Sequence, residues 1–225
     1  MAKVISGESK DVEDNDSGNW ITETLSKILK DYNPENIYNA DETALFFQCL
    51  PQKTLPFKKE KCFGEKQSKA RLTVMLGENT TGHQKLKPLV IGRSKNPTCF
   101  KGAKSLEVYY DFTKKSWMAS EICEKWVQKL DKHLIAECHK IALVFDNCPA
   151  HPKEINLKLK NVSVFYLPPN TTSKLQPMDQ GAIKNFKIHS RKGIVGKVIT
   201  ALENNQSMPK INLRESISEI SKEWN

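Results

Sequence analysis

The 225-residue chain lacks several features that would each point to a particular class of protein. No apolar run approaches the roughly 18 residues of a membrane-spanning helix, and the acidic N-terminus has no apolar signal-peptide core. The six cysteines form no C-x-x-C pair and no paired Cys/His spacing, which excludes the zinc-finger patterns. Internal repeats and low-complexity tracts are also missing. The sequence therefore predicts a cytosolic or nuclear protein with reduced thiols.

Positive charge is what the chain has in excess, with a formal net charge of +9. A basic balance alone fits nucleic acid, an acidic membrane or a ribosomal neighbour. Residues 58–104 carry twelve Lys and Arg against three Glu, and residues 174–197 carry six against one Asp. Solvated surface explains any one of these cations, but as a set they favour contacts with a DNA backbone. The candidates are Lys58, Lys59, Lys66, Lys69, Arg71, Lys184, Lys187, Arg191 and Lys192.

Apolar spacing predicts a helix that ends before Asn33 and covers one face of a sheet. Its predicted apolar face consists of Ile21, Leu25, Ile28, Leu29 and Tyr32. Short apolar runs from IYNA to LEVYY follow, separated by turn residues, and they predict about three strands of a mixed or antiparallel meander.

A second helix is expected from Ser116 to about Glu137, with Ser120 as its cap and with Trp117 and Trp126 in the core. The runs IALVF and NVSVFYL read as two further strands, and a helical pattern resumes at Pro177. Because parallel crossovers need a covering helix, this order predicts an α/β fold with a mixed sheet and helices on both faces.

Three aspartates lie in contexts that could bring them together. Asp41 lies in IYNADETALFF, Asp146 closes the run IALVFDN, and Asp179 follows YLPPNTTSKLQPM at a predicted helix start. Each alone is explained by turn or cap chemistry. Together, carboxylates at strand ends and a helix start can converge, and crowded carboxylates need cations to offset their repulsion. Oxygen ligands suit Mg²⁺ or Mn²⁺, and a pair of such ions supports phosphoryl transfer.

Polar neighbours of the second and third aspartates are candidates for orienting the site. Asn147 and His151 could orient a ligand or contact phosphate, or they could be a turn asparagine and a partly buried histidine. Gln176 and Gln180 flank Asp179, and we expect them to form hydrogen bonds with the metal-binding side chains without binding the metal themselves.

Four segments carry a family resemblance: NADETALFF, KLKPLVIGRSKNPTCFK, LVFDNCPAHP and FYLPPNTTSKLQPMDQGAIKNFK. Over roughly residues 7–200 the chain resembles the catalytic domain of pogo/Tigger-type transposases, in the DDE superfamily that also contains centromere protein B and the jerky-like proteins. The resemblance implies an RNase H-like fold, expected as a mixed five-stranded sheet. It places Asp41, Asp146 and Asp179 at the catalytic and metal-binding acidic positions, with two Mg²⁺ or Mn²⁺ ions if the domain is active. The implied partner is DNA in the nucleus, with no membrane and with a homodimer left open.

The expected domain organisation is a flexible acidic segment at residues 1–17, a DDE superfamily endonuclease domain at 18–203 and a helical extension at 204–225. Such proteins normally carry tandem helix-turn-helix domains before the catalytic domain, so we expect a fragment that lacks them. One hypothesis is a metal-dependent endonuclease or strand-transfer domain. The alternatives are a domesticated, non-catalytic nuclear module that associates with DNA or protein, and a fragment with no selected role.

Overall fold

The computed structural model describes residues 14–47, 71–207, 209 and 211–225. Within these residues, six strands form one sheet in the order β4-β3-β2-β1-β5-β6. The strands are β1 (Ile37–Phe46), β2 (Arg71–Asn79), β3 (Leu89–Gly92), β4 (Tyr109–Phe112), β5 (Ile141–Phe145) and β6 (Val162–Tyr166). The predicted α/β class with a mixed sheet is confirmed.

The predicted number of five strands is wrong, because four strands rather than three precede the second predicted helix. Two of them, β3 and β4, are parallel, with Leu89 paired to Tyr109. They are joined by an irregular crossover with one short 3-10 helix, Thr98–Phe100, instead of the hairpin of a meander. The segment between β3 and β4 therefore lacks the tight-turn residues that join consecutive antiparallel strands.

Helical segments account for most of the other described residues. The α-helices are α1 (Asp14–Asn19), α2 (Ser26–Asp31), α3 (Ser120–Ala136), α4 (Thr172–Leu175), α5 (Ala182–Glu203) and α6 (Leu213–Trp224). A π-helix, Trp20–Leu25, joins α1 to α2, and a 3-10 helix, Pro177–Gln180, precedes α5. The helix predicted from Pro177 therefore begins as a separate short turn. No helix in the described residues is long and apolar enough to cross a membrane.

The described chain divides into two compact units. The first unit contains residues 14–42, 75–87 and 118–184. The second unit contains residues 43–47, 71–74, 88–117 and the described residues from 185 onward.

In the first unit, the parallel strands β1, β5 and β6 pack against the N-terminal helical segment. Ile28 is fully buried in a cluster with Ile37 and Val144, and the Trp20 indole donates a hydrogen bond to the Tyr166 carbonyl at 2.9 Å. A helix over this part of the sheet was expected from the apolar spacing.

The predicted apolar face of that helix is only partly right, since Ile21 and Leu29 are 41% and 57% exposed. The reason is the π-helix Trp20–Leu25, whose wider turn shifts the angular position of the residues that follow. A 3.6-residue period carried across such a turn assigns side chains to the wrong face.

Helix α3 begins later than predicted and without the predicted cap. Ala119 is its N-cap residue, and no side chain caps the helix. The Ser120 hydroxyl instead donates to the Pro149 carbonyl at 3.4 Å. Trp126 is buried as expected and lies 6.2 Å from the Phe145 ring.

In the second unit, Trp117 contradicts its predicted core position, because 54% of the residue is exposed. Ser116 has a positive φ of 55°, and the chain turns there. Thr113 then closes the turn by hydrogen bonds to both the backbone nitrogen and the carbonyl of Trp117. The exposed ring has the cations of Arg71 and Lys115 within 5.5 Å.

Helix α6 of the second unit follows a clear capping signal. The Asn212 side chain accepts a hydrogen bond from the Glu215 backbone, and Glu215 accepts one from the Asn212 amide. The apolar face carries Ile217, Ile220 and Trp224, all buried.

Candidate active site

Asp41 and Asp146 lie at the same level on two neighbouring parallel strands of the first unit. Asn39 pairs with Val144 in the register of β1 and β5, and the two aspartates each come two residues later. Residues two apart on a strand share a face of the sheet. Strand β5 ends at Phe145, so Asp146 stands at the carboxyl edge, where open α/β sheets place their ligands.

Asp179 is tied to these strands by a buried hydrogen-bond network centred on Asn39. The Asn39 amide donates to the Val144 carbonyl at 3.0 Å and to the Gln176 side-chain oxygen at 2.6 Å. The Asn39 side-chain oxygen accepts a hydrogen bond from the backbone nitrogen of Met178 at 2.9 Å. One asparagine thus connects β1, β5 and the short helix that carries Asp179.

The pKa of Asp41 is raised by burial and by nearby acidic groups. Burial, with help from the charges of Asp179, Glu42 and Asp146, raises this pKa to about 8. A hydrogen bond from the Glu42 backbone, at 2.8 Å, opposes the shift only in part. A carboxyl group in these surroundings is protonated at neutral pH unless a cation compensates its charge.

The donor set of the site fits a hard cation such as Mg²⁺ or Mn²⁺. In the ranges that the structure describes, no three His, Cys, Asp or Glu side chains are grouped closely enough to hold one ion. Mg²⁺ is commonly held by one or two carboxylates together with substrate phosphates, so a three-ligand cage is not required.

His151 is fully buried between two carboxylates of the same region. Its Nδ1 lies 2.8 Å from Asp146 Oδ1, and its Nε2 lies 3.0 Å from Glu42 Oε2. The ring stacks on Phe145 with centroids 4.6 Å apart. Both ring nitrogens face carboxylate oxygens, which is the arrangement of a doubly protonated imidazolium. His151 is thus buried more deeply than the partly buried histidine of the alternative, and its contacts are with Asp146 and Glu42.

The contacts of His151 set its charge and that of Asp146. Burial by itself lowers the pKa of His151, but hydrogen bonds and charges from Asp146 and Glu42 outweigh burial and raise it to about 10. For Asp146, burial raises the pKa. The hydrogen bond and the charge of His151 lower it by more than burial raises it, so the net pKa is below the usual value. Asp146 is thus held as a carboxylate.

The other predicted polar neighbours divide between the site and its surroundings. Gln176 is fully buried and joins the Asn39 network. Asn147 accepts a hydrogen bond from the Lys153 ammonium. Gln180 donates to the Ser173 carbonyl at 3.0 Å, which is a contact with helix α4.

The basic candidates are spread along the chain. Arg71 begins β2 in the second unit and lies over the Trp117 ring. Helix α5 carries Lys184, Lys187, Arg191 and Lys192, of which all but Lys187 are exposed. The predicted contacts at Lys58, Lys59, Lys66 and Lys69 lie outside the described residues.

Sequence reasoning missed three residues of this region: Asn39, Glu42 and Lys153. Glu42 had a local signal, since it directly follows Asp41 in the acidic pair of NADETA. Asn39 had only its position two residues before Asp41, on the same face of the strand. Lys153 looked like any other surface lysine, because its partners lie elsewhere in the sequence.

Most of the chain matches a family of known proteins. Residues 69–225 match the family described as DDE superfamily endonuclease, a range that includes Asp146 and Asp179 and begins after Asp41.

Curated relatives agree with this match. Tigger transposable element-derived protein 4 of Mus musculus is 39% identical over 187 residues, which is 83% of this chain and 36% of that protein. The Jerky protein homolog of Homo sapiens is 39% identical over 166 residues, covering 68% of this chain and 29% of that protein. Major centromere autoantigen B of Homo sapiens is 26% identical over 201 residues, covering 88% of this chain and 32% of that protein. The chain thus spans about a third of the length of these curated relatives.

Solved structures show the fold. The Mos1 transposase paired-end complex with left transposon end has a TM-score of 0.52 at 12% identity, and the match covers 100% of this chain and 64% of that chain. The expected RNase H-like fold is confirmed. Since the family match alone covers well over half of the sequence, the chain belongs to the DDE superfamily endonuclease family.

Proposed function

We propose that this domain performs metal-dependent phosphoryl transfer on DNA, cutting or joining strands with Asp41, Asp146 and Asp179. The observation that carries the proposal is geometric: Asp41 and Asp146 each come two residues after the paired Asn39 and Val144, and the Asn39 side chain joins the segment of Asp179 to them. The raised pKa of Asp41, to which burial and the charges of Asp179 and Asp146 contribute, supports it. Carboxylates are brought together at such cost where they have a function, and perturbed pKa values are common at catalytic sites.

Each acidic residue is prepared differently for this role. His151 holds Asp146 as a carboxylate, and the Asn39 network fixes the backbone next to Asp179. Asp41 would give up its proton when a cation binds, because the cation offsets the repulsion that raises its pKa. Bound Mg²⁺ or Mn²⁺ would activate the attacking water or 3′-hydroxyl and stabilise the leaving oxygen.

DNA is the substrate that the relatives and the charge both support. The Mos1 transposase of similar fold was solved in complex with a transposon end. The net charge of +9 suits a polyanion, and we expect the exposed cations Lys184, Arg191 and Lys192 on α5 to contact phosphates. With DNA as the substrate, we propose a nuclear location.

A plasmid-nicking assay tests the proposed function. The chain is incubated with supercoiled DNA and Mn²⁺ or Mg²⁺, and nicked product is measured for wild type and for Asp146→Asn. We expect nicking that requires the metal and disappears in Asp146→Asn. The control is Asp111→Asn, which changes a strand aspartate of the second unit and should leave nicking unchanged. A wild type that does not nick, or nicking that is equal in Asp146→Asn, would overturn the proposal.

A non-catalytic, DNA-associated domain is the second candidate. The observation in its favour is that no described group of three acidic, His or Cys side chains is close enough to hold one ion. Titration calorimetry with Mn²⁺ separates the two candidates. Metal binding that is lost in Asp41→Asn and Asp146→Asn favours the enzyme, whereas DNA binding by a chain that binds no metal favours the second candidate.

A further inference from the structure

An exposed lysine near the acidic site, Lys153, has its ammonium group held by several neighbours. Lys153 Nζ lies 3.8 Å from the centroid of the Tyr166 ring and donates a hydrogen bond to Asn147 Oδ1. The Tyr166 hydroxyl donates to the Pro152 carbonyl at 2.6 Å, so the same tyrosine also fixes the backbone before Lys153. Ordering a lysine side chain costs up to about 2 kcal/mol of rotamer entropy. Because Asn147 and Tyr166 hold the Lys153 ammonium in one position despite that cost, the positive charge is preorganised.

The charge of Lys153 is not used in an ion pair with any described carboxylate. A nearby lysine on the same segment, Lys158, contrasts with it, since Lys158 Nζ pairs with Glu124 at 2.6 Å. An ammonium group has three N–H donors, and Asn147 occupies one of those of Lys153. Lys153 therefore offers a ligand two hydrogen-bond donors and a positive charge that no ion pair with a described residue compensates, whereas the charge of Lys158 is paired with Glu124.

The position of Lys153 relates it directly to the proposed reaction. Asn147, which accepts its hydrogen bond, immediately follows Asp146. Tyr166, which lies beneath its ammonium, pairs with Phe145 in the register of β5 and β6. Lys153 and Asp146 are close enough for their charges to interact. A fixed cation thus stands at the carboxyl edge of two parallel strands, beside the acidic site.

We infer that Lys153, Asn147 and Tyr166 form a binding subsite for a backbone phosphate of DNA next to the acidic site. The identity of the ligand rests on the proposed function. Unneutralised carboxylates repel a phosphate, and a cation fixed at their border offsets that repulsion where the strand must pass. The Lys153 ammonium binds a phosphate oxygen, the Asn147 amide nitrogen adds a second donor, and Tyr166 keeps the ammonium in place.

Salt-dependent DNA binding tests this subsite without any need for cleavage. The Kd of the full 225-residue chain for a short DNA duplex is measured by fluorescence anisotropy in EDTA at several NaCl concentrations. Each phosphate contact contributes about 0.9 to the slope of log K against log salt. We expect Lys153→Gln to weaken binding roughly threefold to tenfold at low salt and to reduce that slope by about one contact.

Two further variants separate charge from structure. Lys158→Gln removes a lysine of the same segment and should leave both Kd and slope unchanged, while Lys153→Arg keeps the charge and should retain the slope. Thermal melting shows that each variant is folded. An unchanged slope in folded Lys153→Gln would overturn the subsite, and so would a wild type that does not bind DNA even at low salt. A reduced slope without any metal-dependent nicking would support the subsite and overturn only the proposed catalysis.

Discussion

The two units of this chain bury different kinds of polar side chain. The first unit buries amides, carboxylates and an imidazole, among them Asn39, Asp41, Asp131, His151 and Gln176. The buried polar side chains of the second unit, within its described residues, are all Ser or Thr hydroxyls. A buried charge costs far more free energy than a buried hydroxyl unless it is paired or hydrogen-bonded. The first unit therefore buries the more costly polar groups, which is consistent with the proposed function of that unit.

Within the first unit, Asp131 shows that a buried carboxylate need not belong to a site. Its Oδ1 accepts hydrogen bonds from the backbone nitrogens of Asn161 at 2.7 Å and Val162 at 2.9 Å, at the start of β6. These hydrogen bonds satisfy the buried side chain and fix the chain between α3 and β6. Asp41 has one such donor and three acidic neighbours, and this difference is what we expect of a residue in the proposed site.

The largest predicted effect on stability belongs to His151→Ala. Removing this cation leaves the Asp146 and Glu42 carboxylates near each other without compensation and opens a cavity against Phe145. We expect a loss of about 3 to 4 kcal/mol in the free energy of unfolding, measured by urea denaturation in EDTA. The control is His189→Ala in the second unit, where a half-exposed histidine lies 3.7 Å from Glu223 and should matter by less than about 0.5 kcal/mol. Equal losses in the two variants would break the comparison between the units.

Asn39→Ala should have the next largest effect. It removes three hydrogen bonds that join β1, β5 and the segment before Asp179, and it leaves buried partners unsatisfied. We expect a cost of about 2 to 3 kcal/mol in urea denaturation, together with weaker Mn²⁺ binding in calorimetry. Thr73→Val is the matched change in the second unit, because the buried Thr73 hydroxyl donates a single hydrogen bond, to the Ser116 carbonyl, and should cost about 1 kcal/mol. A smaller loss of unfolding free energy for Asn39→Ala than for Thr73→Val would contradict the view that the buried amide network holds the site together.

The sequence allowed the main elements and the placement of two aspartates to be predicted, because both depend on local patterns. Asp146 follows an uninterrupted apolar run, and such a run is typical of a buried parallel strand. The number of strands could not be predicted correctly. The run LEVYY overlaps β4, but the parallel pairing of this strand with β3 depends on residues about 20 positions earlier and has no local signal.

The burial of single side chains was predicted wrongly where the backbone departed from regular helix geometry. The π-helix Trp20–Leu25 turned Ile21 and Leu29 toward solvent, and the positive φ of Ser116 turned Trp117 outward. Side-chain partnerships were equally hidden. The hydrogen bond from Asn39 to Gln176 spans 137 positions in the sequence, and that from Lys153 to Asn147 is meaningful only once the strands are assembled.

The pH dependence of stability should differ between wild type and Asp41→Asn in the metal-free protein. The pKa of Asp41 is about 8 in the folded state and near the model-peptide value of 3.8 when unfolded. The folded state therefore binds more protons, and the contribution of Asp41 to stability is present at acidic pH and is lost as pH rises toward 8. Between pH 6 and pH 8 we expect wild type to lose on the order of 2 kcal/mol more than Asp41→Asn. Thermal melts in EDTA at both pH values measure this, with Asp111→Asn as the control. Parallel pH profiles for wild type and Asp41→Asn would contradict the raised pKa.

The smallest effect is predicted for an ion pair in the second unit. Lys197 Nζ lies 2.9 Å from Glu219 Oε1, joining α5 and α6, but both side chains are partly exposed to water. Such pairs contribute little because water screens the charges and because ordering two long side chains costs entropy. We expect Lys197→Gln to lower the free energy of unfolding by less than about 0.5 kcal/mol, and added salt should reduce even that difference. A loss of the size predicted for His151→Ala would mean that the second unit also depends on charge. The contrast between the two units would then fail, because stability in both units would depend on paired ionic groups.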